Sequence, residues 1–377
     1  MSEVTNKNVD EKPGGAQAPP GGGAAFRVWP RSGYLKARTP EGCETIVTAV
    51  DALIHERNAK RIMDVNLLVR RFSTCGLKYP NGRFVGMDNA AKGIASENAK
   101  GHVLAGSKGI KELFGAGKGK IAVVCGAGRS LLKDVPTLVN RDRDRVKVFA
   151  INGALRAFPP GSVDYFFALD WSAVEKWWKD YPREDVDLVT CPATPPAIQD
   201  GWRNRYYFGG ALKVEAGEED KVWGEMGHLE TGLHATYSVM HLCYQMGFER
   251  VVLTGHDYAL TDMWYHWDAR STAQFGQEQQ FKMVEDIRGD VTMTGFKMER
   301  HARLINAAMF FCEMDGMPCV NASMEGILAS ERQAPLGECL GKECPPMLVT
   351  PEEIPVHKGL EAEDFARARM AAEKEAA

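Results

Sequence analysis

The sequence predicts an α/β fold: a doubly wound, mainly parallel sheet preceded by an N-terminal helical and loop extension. Three observations predict it. Short apolar runs recur from Ile121 onward, amphipathic stretches of helical period lie between them, and a glycine-rich turn joins the first run to the first of those stretches. Apolar runs of four to eight residues without polar alternation mark strands covered on both faces, as parallel strands are. Their regular exchange with helical segments is the signature of βαβ units.

The predicted strands are Ile121–Cys125, Val146–Ile151, Val163–Leu169, Val186–Cys191, Val251–Thr254 and Cys319–Asn321. The predicted helices are Ser130–Val139, Ala173–Lys179, Gly232–Met246 and Arg300–Glu313. The third is apolar nearly all round and stops at Gly247, which suits a centrally packed helix with a left-handed C-terminal cap. Residues 120–330 form the expected Rossmann-like nucleotide-binding transferase domain. Before it, residues 1–25 are rich in Gly, Pro and Ala, lack a hydrophobic period, and read as a disordered arm. Residues 26–119 read as amphipathic helices followed by loops, with a short helical piece at Ile110–Phe114. Residues 331–377 read as a Pro-rich tail ending in a charged, Ala-rich helix. The arm and the tail are candidate docking segments for a protein partner.

Composition narrows the function classes. The 377 residues are 44% hydrophobic and 25% charged, with a formal charge of -4, so no global charge draws the chain to nucleic acid or an anionic membrane. The run Arg141-Asp142-Arg143-Asp144-Arg145 is mixed in sign and makes no basic patch. Nine cysteines, several inside apolar runs, read as buried thiols rather than a disulfide framework. No apolar run is long enough to span a bilayer and the N-terminus lacks an apolar signal core, which together predict a cytoplasmic protein.

The segment IAVVCGAGRSLLKDV is a strand, a tight Gly-x-Gly turn and a helix start. Glycine admits close approach to the backbone, and a helix N-terminus offers N–H groups and a positive dipole end. Gly126, Gly128, Arg129 and Ser130 are therefore candidate nucleotide-phosphate ligands, against the alternative of a ligand-free tight turn. Two common motifs fail. The dinucleotide fingerprint needs a third glycine where Leu131 stands and an acid where Asn152 stands. The segment Gly115–Lys120 ends Gly119-Lys120-Ile121 and lacks the Ser/Thr of a P-loop.

Further candidates fall at strand ends, where parallel sheets gather ligands. Asn152 follows the second strand and is a candidate nucleotide contact through its amide, or caps the next turn. Asp170 follows the third; its carboxylate suits a magnesium ion on substrate phosphates, with an N-cap as the alternative. Thr231 and Gly232 open the buried helix and offer N–H groups to an anion or plain capping. Asp257 lies in the turn Gly255-His256-Asp257-Tyr258, either lining the site or pairing with loop amides. His228, His234 and His241 lack the spacing and carboxylate of a zinc helix and read as core or surface residues.

The blocks CGAGRSL, FAINGAL, VDYFFALDW and ETGLHATYSVMHLCYQMGFERVVLTGHDYALTD, in that order, resemble the motility-accessory-factor and 6-hydroxymethylpterin diphosphokinase MptE-like family. The later blocks are also similar to bacterial CMP-sugar sialyltransferases. The resemblance covers about residues 120–330, and Arg129 departs from it by standing where the family usually has proline. It implies a nucleotide-dependent transferase: a glycosyltransferase with a nucleotide-activated sugar donor and a small-molecule or glycan acceptor, or a diphosphokinase using ATP and magnesium. A non-catalytic assembly protein on the same fold is the reading from another class. The sialyltransferase likeness implies hydroxyl donors in Tyr258 and Tyr265 for the leaving phosphate, and a general base near His301. The residue directly after Gly295 is Phe296 rather than histidine.

Overall fold

We describe the fold from a computed structural model, which describes residues 97–102, 106–170, 173, 175–209, 226–229, 234–260, 264–266, 269–270, 281–328 and 330–348. The arm, most of the N-terminal extension and the C-terminal helix read from the sequence lie outside these residues, as do Thr231 and Gly232.

The frame is one nine-stranded sheet. Its strands are β1 (Lys108–Gly109), β2 (Ile121–Cys125), β3 (Val146–Ile151), β4 (Tyr165–Ala168), β5 (Asp187–Thr190), β6 (Asn204–Tyr207), β7 (Arg250–Thr254), β12 (Cys319–Asn321) and β13 (Arg332–Gln333). They are ordered β1-β6-β5-β4-β3-β2-β7-β12-β13, and every neighbouring pair runs parallel. The remaining strands form two small antiparallel pairs, β8 (Trp264–His266) with β9 (Ala269–Arg270) and β10 (Phe281–Glu285) with β11 (Val291–Gly295).

The central strands bury every residue because helices and turns cover both faces. Alternate residues divide between two cores. Ala122, Val124, Phe149 and Leu253 join α2 (Ala235–Met246) and α3 (Phe296–Met314) on one face. Ile121, Val123, Val148 and Val252 join α1 (Leu131–Val139) and α4 (Leu336–Cys339) on the other. Helix α2 buries all but its first residue and ends at Gly247, whose φ of 75° lets its N–H reach the Cys243 and Tyr244 carbonyls.

Chain order reverses at the centre. From β2 the chain steps outward through β3, β4, β5 and β6; β7 then returns to the other side of β2 and leads on to β12. The ends of β2 and β7 therefore flank the topological switch point, where open α/β sheets bind ligands.

Several boundaries differ from those read in the sequence. The sheet takes β1 from the segment assigned to the N-terminal extension, and β13 and α4 from the segment assigned to the tail. Among the described residues of the helix expected over Ala173–Lys179, Glu175–Trp177 form one short 3-10 turn. Helix α3 starts at Phe296, directly after β11, rather than at Arg300. The mixed run also resolves into structural contacts: Arg141 is buried on Asp164 at 2.6 Å, Arg143 donates to the Gly161 carbonyl, and Arg145 donates to the carbonyls of Leu340 and Gly341.

Candidate functional site

The turns after β2 and β7 are locked together by their backbones. Gly126 N–H donates to the Thr254 carbonyl at 2.8 Å, and Gly128 N–H donates to the Gly255 carbonyl at 2.8 Å. A Cβ on Gly126 would stand 2.4 Å from the Gly255 oxygen, and one on Gly128 would stand 2.7 Å from both that oxygen and the Asp257 carboxyl. The glycines are thus required by the approach of the protein's own β7 turn.

Ser130 and Asp257 complete the lock. The Ser130 N–H donates to Asp257 Oδ2 at 3.1 Å, and its hydroxyl donates to Asp257 Oδ1. Both residues are buried. The Asp257 carboxylate therefore sits at the N-terminus of α1, where the sequence suggested a phosphate. Ser130 and Asp257, both expected as nucleotide ligands, are thus joined to each other, and the amide pairing expected as the alternative for Asp257 is present. Burial pushes the Asp257 carboxyl up to about 6, against the lowering effect of the Ser130 hydrogen bonds.

Neighbouring side chains hold the β7 turn from its other side. His256 Nδ1–H donates to the Thr254 carbonyl at 2.9 Å, which leaves Nε2 to accept from the Thr236 hydroxyl at 3.0 Å. The His256 N–H donates to Ser323 Oγ at 3.0 Å, tying in the end of β12. Burial lowers the His256 pKa to about 4, so the ring stays neutral. Sequence reasoning missed Thr236 and Ser323, whose role exists only through these contacts.

Three non-glycine residues among those described have positive φ: Asn152 (49°), Tyr258 (49°) and Met324 (54°). They follow β3, β7 and β12, so all three lie along one edge of the sheet. Such backbone conformations cost about 1–3 kcal/mol each and concentrate at functional sites. The Asn152 side-chain oxygen is buried without a hydrogen-bond partner among the described residues, so it does not cap the following turn. The Tyr258 hydroxyl is also buried; it lies beside Thr236 without a well-aligned hydrogen bond, and burial raises its pKa.

The structure brings His301 to the same place. From α3 its ring centroid lies 4.3 Å from that of His234, which precedes α2, and the His234 ring lies 5.6 Å from that of Tyr258. His234 thus joins the edge rather than the core or the open surface. His241 is a core residue of α2, beside Gln245.

Asp170 follows β4 on the same edge of the sheet, near Cys191 at the end of β5. Among the described residues no three His, Cys, Asp or Glu side chains gather as a metal site. A magnesium ion carried on substrate phosphates needs only one or two protein carboxylates, so Asp170 fits a substrate-borne ion and not an all-protein cage. Asp257 has both oxygens engaged by Ser130. Tyr265 lies in β8, paired with β9. Arg129 and Ala127 are half-buried on either side of Gly128 in the glycine turn, with Ala127 packed against the core on the α1 face. Among the described residues no helix is long and apolar enough to cross a membrane.

Residues 98–263 match the family model described as 6-hydroxymethylpterin diphosphokinase MptE-like. Comparison with curated proteins finds no match. Among solved structures, the MAf glycosyltransferase from Magnetospirillum magneticum AMB-1 aligns with 82% of this chain and 46% of its own length, at 14% identity and a TM-score of 0.49. This chain thus spans less than half of that protein.

Proposed function

We propose that this chain, whose residues 98–263 match the MptE-like family, is a transferase that takes a nucleotide-activated donor at the carboxyl edge of its sheet, between the ends of β3, β2 and β7. One observation carries the reading: the non-glycine residues with positive φ among those described all follow strands at that edge, and two of them, Asn152 and Tyr258, hold buried polar atoms there. Asn152 reads the ribose or base, Tyr258 faces the departing phosphate, and the backbone of Gly126–Arg129 forms the floor of the site. Thr231 and Gly232, two residues or more before His234, supply further N–H donors.

The donor of the leading reading is a nucleotide-activated sugar and the acceptor a small molecule or glycan. Catalysis rests on positioning and on stabilising the departing phosphate, with Tyr258 and Tyr265 as donors. His301 removes the acceptor hydroxyl's proton while its oxygen forms the new bond to the sugar and the nucleotide leaves with the bonding pair. The match to a diphosphokinase family favours a second reading, in which ATP is the donor and Asp170 holds magnesium on its phosphates.

Donor turnover separates the two. The sugar-donor reading expects transfer that survives EDTA and falls by about 10²–10⁴ in kcat for His301→Ala, with Tyr265→Phe also more damaging than Asp170→Asn. Turnover of ATP alone, abolished by EDTA and by Asp170→Asn, replaces it with the diphosphokinase reading. Nucleotide binding without turnover of any donor favours an assembly protein.

A further inference from the structure

We infer that Asp257 is a specificity-determining residue: its carboxylate is a built-in occupant of the anion position at the N-terminus of α1, so the nucleotide's phosphates lie clear of that helix. The inference rests on the proposed nucleotide site and adds which part of the edge the phosphates are denied.

A helix N-terminus attracts anions because its first N–H groups lack partners and its dipole end is positive. Here the partner is internal. Asp257 reaches across 127 positions of sequence to accept from both the backbone N–H and the hydroxyl of Ser130. Its backbone is held as firmly as its carboxylate. The Ile327 N–H donates to the Asp257 carbonyl at 2.8 Å, and Gly326 lies so close that a Cβ there would overlap that carbonyl. Swinging the carboxylate out to admit a phosphate would break these contacts and return a charge to the surface.

The surroundings add to the exclusion. Glu325 and Asp257 act on each other as like charges, and the nearby Lys133 is committed to Glu325 at 3.2 Å and to the Ser323 carbonyl at 2.8 Å. Gly128 has no Cβ because the Asp257 carboxyl occupies that space, so the glycine motif serves an internal carboxylate. A chain of phosphates laid along α1, as in P-loop proteins, has no place here. The phosphates of a bound nucleotide lie instead toward the end of β3, at Asn152.

The test follows the Ser130 and Asn152 amides by NMR in the full chain, with inorganic phosphate and with ATP, CTP and UDP as probes. In the wild-type protein the Ser130 amide is expected to stay unmoved by phosphate, and by any nucleotide that moves Asn152. In Asp257→Ala, inorganic phosphate is expected to bind about tenfold tighter or more and to shift Ser130, as the vacated helix end takes an anion. A direct shift of Ser130 by phosphate or nucleotide in the wild type overturns the inference, as does a folded Asp257→Ala that gains no phosphate affinity. If that variant does not fold, the wild-type titration decides alone. If no nucleotide binds the wild type while Asp257→Ala gains phosphate, Asp257 still occupies the anion position of α1 but the nucleotide site, and its role in specificity, fail.

Discussion

At the residue scale, two adjacent buried groups answer acid in opposite senses. Asp257 has its folded pKa raised from 3.8 to about 6, so the native state binds its proton more readily than the unfolded chain. Its contribution is fully favourable below pH 3.8 and is lost as pH rises through 6, a range of about 3 kcal/mol. His256 has its folded pKa lowered from 6.5 to about 4, so its contribution is present above pH 6.5 and is lost as pH falls through 4. Between pH 6.5 and 4 the two slopes nearly cancel. Asp257→Asn should remove one of them and unmask the other, making the variant lose stability on acidification more steeply than the wild type, by about 2 kcal/mol between pH 6.5 and pH 4.5. Urea melts of both proteins at pH 6.5 and pH 4.5 check this; parallel pH dependence would show that the buried pair does not titrate as described.

At the element scale, the C-terminal end of the described chain is strapped to the sheet by arginines. Arg250, at the start of β7 and 1% exposed, donates to the carbonyls of Glu343 at 2.7 Å and Lys342 at 2.9 Å. Arg145 donates to the Leu340 carbonyl at 2.8 Å, and Arg332 to that of Pro345. Irregular backbone has few partners of its own, and guanidinium groups supply several donors in a fixed fork. Arg250→Met keeps the bulk and removes these bonds. It should cost roughly 2–4 kcal/mol and expose residues 339–345 to limited proteolysis. Unchanged stability and an unchanged cleavage pattern would mean that α4 and β13 hold the strap without it. None of this was legible in the sequence, where the prolines marked the segment as a tail and nothing linked it to an arginine some ninety positions earlier.

At the scale of the whole molecule, the fold was legible wherever burial on both faces wrote an uninterrupted apolar run. The strands β2, β3 and β12 stand where the sequence placed them, and β4, β5 and β7 differ only at their ends. The misses have physical causes. Strand β6 begins Asn204-Arg205, whose side chains are only half-buried, and β1 and β13 are too short to show a period. The β10–β11 hairpin left a readable trace in the Arg288-Gly289-Asp290 turn, but its apolar residues alternate too loosely to stand out. Candidate site residues could be named one at a time, because strand ends and a glycine turn are local features. Their partnerships could not: Ser130 with Asp257, and His301 with His234, exist only once the sheet is assembled.

Hydrogen exchange of the full chain with and without nucleotide tests most directly whether a nucleotide sits at the switch-point edge. A ligand that binds there slows the local opening of the turns it touches. Saturating ATP, CTP, UDP and GDP, each with and without magnesium, should include at least one that protects peptides covering Gly126–Arg129, Asn152–Ala154 and Gly255–Tyr258 together. Protection confined to peptides away from these three strand ends, or no protection by any nucleotide, would contradict the account.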